Sequence, residues 1–101
     1  MANSHYVVRL IRQGEITIAN LCDEENLGKQ IKGDGIEMNI SKDHFAGNIV
    51  DVDEAIDIVR KSQIVNLIGD RIVGAVLDAN LASKEAVKRV SEISFLMIYN
   101  L

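Results

Sequence analysis

The sequence predicts a small α+β fold, a single domain over residues 1–101, with an antiparallel or mixed sheet of four to five strands and two to three helices mainly on one face. Three observations lead there. Val-, Ile- and Thr-rich runs fill the first half of the chain, whereas apolar residues in the second half recur at helical spacing. No Gly/Ser linker, repeat or low-complexity stretch divides the 101 residues. With 48% hydrophobic residues, a chain of this length should bury roughly 65% of its unfolded surface, enough for one core without disulfides or a structural metal.

Tyr6 to Arg12 and Glu15 to Cys22 read as strands meeting at Gln13-Gly14, a two-residue connection whose glycine suits a tight hairpin. The first strand is apolar on both faces (Val8 and Leu10 on one, Val7 and Ile11 on the other), which makes it central rather than edge. On the second, Ile16, Ile18 and Cys22 share a face expected to be buried. Asp23 to Lys29 reads as a short helical turn, with Asp23 as N-cap, Leu27 inward and Gly28 placed to take positive φ. Beyond the turn Asp34-Gly35, Ile36, Met38 and Ile40 alternate with Glu37, Asn39 and Ser41, the pattern of a strand wet on one face. Phe45 is expected to plug the core behind it, and Gly47-Asn48 to turn the chain.

Asp51 then caps a helix from Val52 to Ser62, with Glu54 three residues on and Val52, Ala55, Ile56 and Val59 as its buried stripe. Its acidic residues lie near the start, and Arg60 and Lys61 near the end, the order that the helix dipole favours. Gln63 to Ile68 reads as a buried strand closed by Gly69. A second helix follows from Asp70 to Asn80, with Ile72, Val73, Val76 and Leu77 inward. Gly74 inside that helix costs about 1 kcal/mol relative to alanine, an expense that a close backbone neighbour would explain. Ser83 opens a short helix or turn carrying Ala86, Val87 and Val90, and Ile93 to Tyr99 forms the final strand.

Composition excludes several function classes. Fifteen acidic against eleven basic residues, a formal net charge of -4, argue against autonomous nucleic-acid binding. Four aromatic residues give no stacking platform for single strands. No apolar run approaches 18 residues and no signal peptide is expected, so the reading is of a chain without membrane attachment. The lone Cys22 excludes an internal disulfide and suits a reducing cytoplasmic setting. Cys22, Asp23 and His44 are the one set that resembles a nucleophile, a base and an orienting carboxylate. Asp23 beside the thiol would raise its pKa, however, and a cysteine at a strand end is ordinarily inert. The histidines have no second ligand at a useful spacing, so neither a metal nor a cofactor is expected. Asp51, Asp53, Glu54 and Asp57 are explained by a capped, solvated helix face. Lys29 and Lys32 precede Gly33-Asp34-Gly35, a turn able to approach a phosphate but lacking P-loop length.

One string of residues is more specific. Leu21-Cys22-Asp23-Glu24-Glu25, Leu27-Gly28-Lys29, Ile36 to Ser41, Phe45-Ala46-Gly47 and Asn66-Leu67-Ile68-Gly69-Asp70-Arg71 follow in one order with characteristic gaps. The chain resembles the archaeal family called domain of unknown function 424, from about Tyr6 to Val90. The resemblance implies an archaeal, cytoplasmic setting and the translation apparatus as context; it brings no assigned reaction and no catalytic residues. Family members commonly end in a Gly-Gly-Val-Pro-His-Ala-Gln-like motif, where this chain has Ser91-Glu92-Ile93-Ser94-Phe95-Leu96-Met97. Chemistry carried by that motif elsewhere is therefore lost here, and binding carried by it has a changed surface.

The expected function is a non-enzymatic module that docks on a protein partner such as the small ribosomal subunit or an initiation factor, touching RNA only within that assembly. Lys29, Lys32, Asp70, Arg71, Phe95 and Tyr99 are the candidate partner-binding residues. The alternatives are a small-ligand protein or enzyme built on Cys22, Asp23 and His44, and a homo-oligomer joined through the C-terminal strand.

Overall fold

The structure is a computed structural model that describes residues 5–33, 35–41 and 47–100. The expectations for Asp34, His44 and Phe45, and for the side chains of Ile36 and Met38, lie outside the described residues.

β1 (Tyr6–Gln13) and β2 (Ile16–Asp23) are antiparallel partners in which Gln13 faces Ile16. The turn is therefore Gly14-Glu15, one residue later than Gln13-Gly14, because Gly14 at φ +62° supplies the left-handed backbone of the first turn position. β1 also pairs with β5 (Asn48–Val50), and is internal as its two apolar faces require. Between them lie a 3-10 turn (Glu24–Asn26) and a separate antiparallel hairpin of β3 (Gln30–Gly33) and β4 (Ile36–Asn39). Asp23 does not cap the 3-10 turn, while Gly28 takes φ +89° as its position predicts.

In the second half, α1 (Val52–Lys61) starts at Asp51, whose side chain accepts from the Glu54 N–H at 2.9 Å. β6 (Ile64–Ile68) runs parallel to β2, α2 (Asp70–Asp78) follows, and β7 (Lys88–Val90) and β8 (Ile93–Tyr99) form the closing hairpin. The main sheet has six strands in the order β5-β1-β2-β6-β8-β7, one more than the four to five expected, beside the two-stranded β3–β4 hairpin. The extra strands are β3, β5 and β7, each three or four residues long and too short to show a period. Asn48 thus belongs to β5 rather than to a turn, and Val90 to β7 rather than to a helix. The short helix or turn expected from Ser83 is a 3-10 turn, Lys84–Ala86. The two α-helices described are α1 and α2.

Strand register sorts the sheet into two faces. Val8, Ala19, Leu21, Val65, Leu67, Leu96 and Ile98 point to one, where Ala55 and Val59 of α1 and Ile72, Val73 and Val76 of α2 cover them. Gly74 has no atom within 4 Å of where a Cβ would stand, so the expected close backbone neighbour is absent.

The second face is laid out in cross-strand rows. The first is Val7, Cys22, Ile68 and Phe95; the next is Arg9, Asn20, Asn66 and Met97; then comes Ile11, Ile18, Ile64 and Tyr99. Only the first row is sealed, by Ile31, Ile40 and Val90. Asn66 donates to Asn20 Oδ1 at 2.8 Å in the middle row. In the last row Tyr99 is 59% exposed. Ile16, Ile18 and Cys22 do share a face, but only Cys22 is buried there.

Candidate functional site

Strand alternation sends Cys22 and Asp23 to opposite faces, and this decides their chemistry. Cys22 is fully buried in the sealed row, and its thiol donates to the Asp23 backbone carbonyl at 3.1 Å. Burial first, then the charges of Asp23 and Glu25, push the thiol up to about 12, far from a thiolate at neutral pH. Among the described residues, no His/Cys/Asp/Glu group of three or more could hold a metal ion.

Asp23 faces the helices. α2 begins after Gly69, which has no side chain to cap it. Asp23 Oδ2 accepts from the Arg71 N–H at 2.9 Å and Oδ1 from the Ile72 N–H at 2.8 Å, so a residue from the end of β2 satisfies the helix in place of a local cap. A Cβ at Gly69 would stand 2.4 Å from the Asp23 carboxylate, and the φ of +127° also favours glycine there. Desolvation raises the Asp23 carboxyl above its ordinary value, against the pull of the two N–H donors and the Arg71 charge.

Arg71 continues the lock. Its Nε donates to Glu25 Oε2 at 2.8 Å and its Nη2 to Glu25 Oε1 at 2.5 Å, a bidentate fork. Nη2 also donates to the His5 carbonyl, and the guanidinium stands 4.9 Å from the Tyr6 ring centroid. The fork holds the Glu25 carboxyl down at about 2, its hydrogen bond from Arg71 being the main cause. Asp70 turns the other way. It accepts from the Ser94 N–H at 3.0 Å and from Arg89 at 3.2 Å, and contacts with Ser94 lower its carboxyl. Arg89 further donates to Ser94 Oγ and to the Glu92 carbonyl. That carbonyl belongs to the tight turn of β7–β8, where Ser91 and Glu92 both have positive φ.

These contacts frame an open polar cleft of about 470 Å³, lined by Asp23, Glu25, Asn26, Lys29, Gln30, Ile31, Asp70, Arg71, Ser91, Glu92 and Ile93. Of the sequence-predicted residues, Lys29, Asp70 and Arg71 meet here, with Lys29 donating to Asn26 Oδ1 at 3.0 Å. Lys32, Phe95 and Tyr99 are elsewhere. Lys32 forms an exposed ion pair with Glu37 at 3.8 Å, Phe95 packs against the sealed row, and Tyr99 stands on the open second face. Sequence reading missed Asp23 as the cap of α2, and Glu25, Ser91 and Glu92 as walls of the cleft. The available signal was Gly69 directly before a helix, a start with no capping side chain of its own.

A family model described as "Protein of unknown function (DUF424)" matches residues 11–101. The chain is also similar to a solved structure, the crystal structure of an uncharacterized conserved protein from Methanopyrus kandleri, with a TM-score of 0.80 and 22% identity over 96% of this chain and 92% of that one. That likeness shows the fold. No curated protein matches. No helix among the described residues is long and apolar enough to cross a membrane.

Proposed function

The chain belongs to the family of proteins of unknown function DUF424, and on that premise we propose that it is a non-enzymatic binding module. The observation that carries this reading is how the motif residues are spent. Asp23, Glu25, Lys29, Asp70 and Arg71 converge on one cleft, where polar groups of this set cap a helix, clamp a turn and tie down a hairpin. Such a site is a preformed recognition surface, rigid in backbone and polar in lining. Its lining includes the side chains of Lys29 and Glu92, one of each charge, for a partner to meet. The enzyme reading through Cys22 lacks a reachable thiolate.

The family resemblance supplies the context: docking on a protein of the translation apparatus, the small ribosomal subunit or an initiation-factor assembly, in the cytoplasm of an archaeal cell, with RNA touched only inside that assembly. Sedimentation of native lysate with and without RNase tests it. The protein is expected to travel with ribosomal or initiation-factor fractions, and Lys29→Glu to release it. A protein that stays at the top of the gradient under every condition removes the translation context.

A further inference from the structure

The outer edge of β8 is half paired. The Gly69 N–H donates to the Ser94 carbonyl and the Asn100 N–H to the Gln63 carbonyl, so even-numbered residues of this segment turn their backbone groups towards β6 and its flanks. Phe95, Met97 and Tyr99 therefore turn theirs outward. Phe95 is opposite Lys88, the first residue of β7. Beyond that point the chain arrives through the 3-10 turn Lys84–Ala86, and on this outer side no described strand pairs with Met97 or Tyr99, whose register partners Asn66 and Ile64 lie on the inner side in β6. The same two residues expose their side chains on the open second face, at 55% and 59%.

Sheet edges are normally guarded by brevity, charge, proline or a bulge. β5 guards one side by being three residues long, and β7 carries Lys88 and Arg89 on the other. Residues 96–99 are Leu-Met-Ile-Tyr, with no guard of any kind. We propose that this edge is a self-pairing interface, through which two copies of the chain join antiparallel across residues 97–99 into one continuous sheet.

A second copy fits better than a foreign strand because the segment is complementary to itself. With Ile98 on the two-fold axis, Met97 of one copy lies opposite Tyr99 of the other, and the backbone groups of both turn outward to form a hydrogen-bonded pair. The side chains in that pair share the second face, thioether against aromatic ring. An uncharged segment also places no like charges opposite each other. A mostly apolar groove of about 270 Å³ runs beside Met97, lined among others by Ile68, Ala86, Lys88 and Phe95. The incoming Tyr99 stands next to it, so each copy supplies one aromatic knob and one groove.

Light scattering of the full chain tests the proposal. The native protein is expected at twice 11.2 kDa, and the double variant Met97→Lys with Tyr99→Lys, which sets ammonium groups face to face, at the mass of one chain with unchanged circular dichroism. Cross-linking keeps the test decisive if that variant does not fold. Met97→Cys mixed with Tyr99→Cys should form a disulfide dimer in preference to either variant alone, Cys22 being buried. Native protein at one chain mass at every concentration overturns the proposal, as does a dimer indifferent to the double variant or a cross-link that prefers identical positions.

Discussion

The two faces of the main sheet are built from the same strands and finished in different ways. The helix face is covered by two amphipathic helices over its central strands, with Leu10 left exposed towards the β1–β2 turn. The second face is sealed at one end, where the hairpin residues Ile31 and Ile40 meet Cys22 and Ile68, and then opens towards Met97 and Tyr99. Apolar alternation alone cannot distinguish these fates: Ile18 and Leu21 are equally apolar, yet only Leu21 is fully buried. The difference teaches that covering elements, rather than strand composition, decide which apolar residues are buried.

Substitutions across the two faces should break or sharpen that contrast. Leu67→Ala, under both helices, should lower unfolding free energy by about 2–5 kcal/mol in denaturant titration, the cost of a cavity in a packed core. Asp23→Ala strips the cap from α2 and leaves two N–H groups without their acceptor; a loss of about 1–3 kcal/mol is expected, and an unchanged midpoint would falsify the external-cap account. Glu92→Gly should instead stabilise by about 1 kcal/mol, since glycine takes its left-handed φ of +68° without steric cost. Ile49→Thr, on a short edge strand with the residue 61% exposed, should stay within about 0.5 kcal/mol. A large effect there would contradict the exposure of the β5 edge.

Acid sharpens the picture further. The Glu25 carboxyl titrates at about 2 in the folded chain against 4.5 ordinarily, so the Arg71 fork stabilises fully above about pH 4.5 and is lost as pH falls towards 2. Asp23, raised by burial, acts in the opposite sense: its cost appears as pH rises through its folded value. Glu25→Gln should therefore lose less stability than the native chain between pH 4.5 and 2, as read from thermal melts across that range. Half of the Glu25 side chain is exposed, so solvent screening keeps the difference small.

Much of the fold was legible because long elements carry their period. β1, β2, α1, β6, α2 and β8 lie where Val, Ile and Leu spacing puts them, and Asp51 announces α1 by its cap. The short strands were not legible: Lys88-Arg89-Val90 has one apolar residue, and pairing with β8 alone makes it a strand. Of the site, sequence supplied the residues but not their tasks. Asp23 reads locally as the cap of the segment that follows it, and only the parallel pairing of β2 with β6 brings it to Gly69.

The cap of α2 also bears on how the chain folds. Its acceptor sits 48 and 49 positions before the N–H groups that it satisfies. A peptide spanning α2 alone therefore lacks the group that starts its helix, and nine residues are too few to hold helical structure unaided. The cap is completed only when β6 docks beside β2, the most non-local strand pairing in the sheet. Local melting of α2 would therefore strand a buried carboxylate at the end of a central strand, so the helix and the sheet centre share one set of hydrogen bonds.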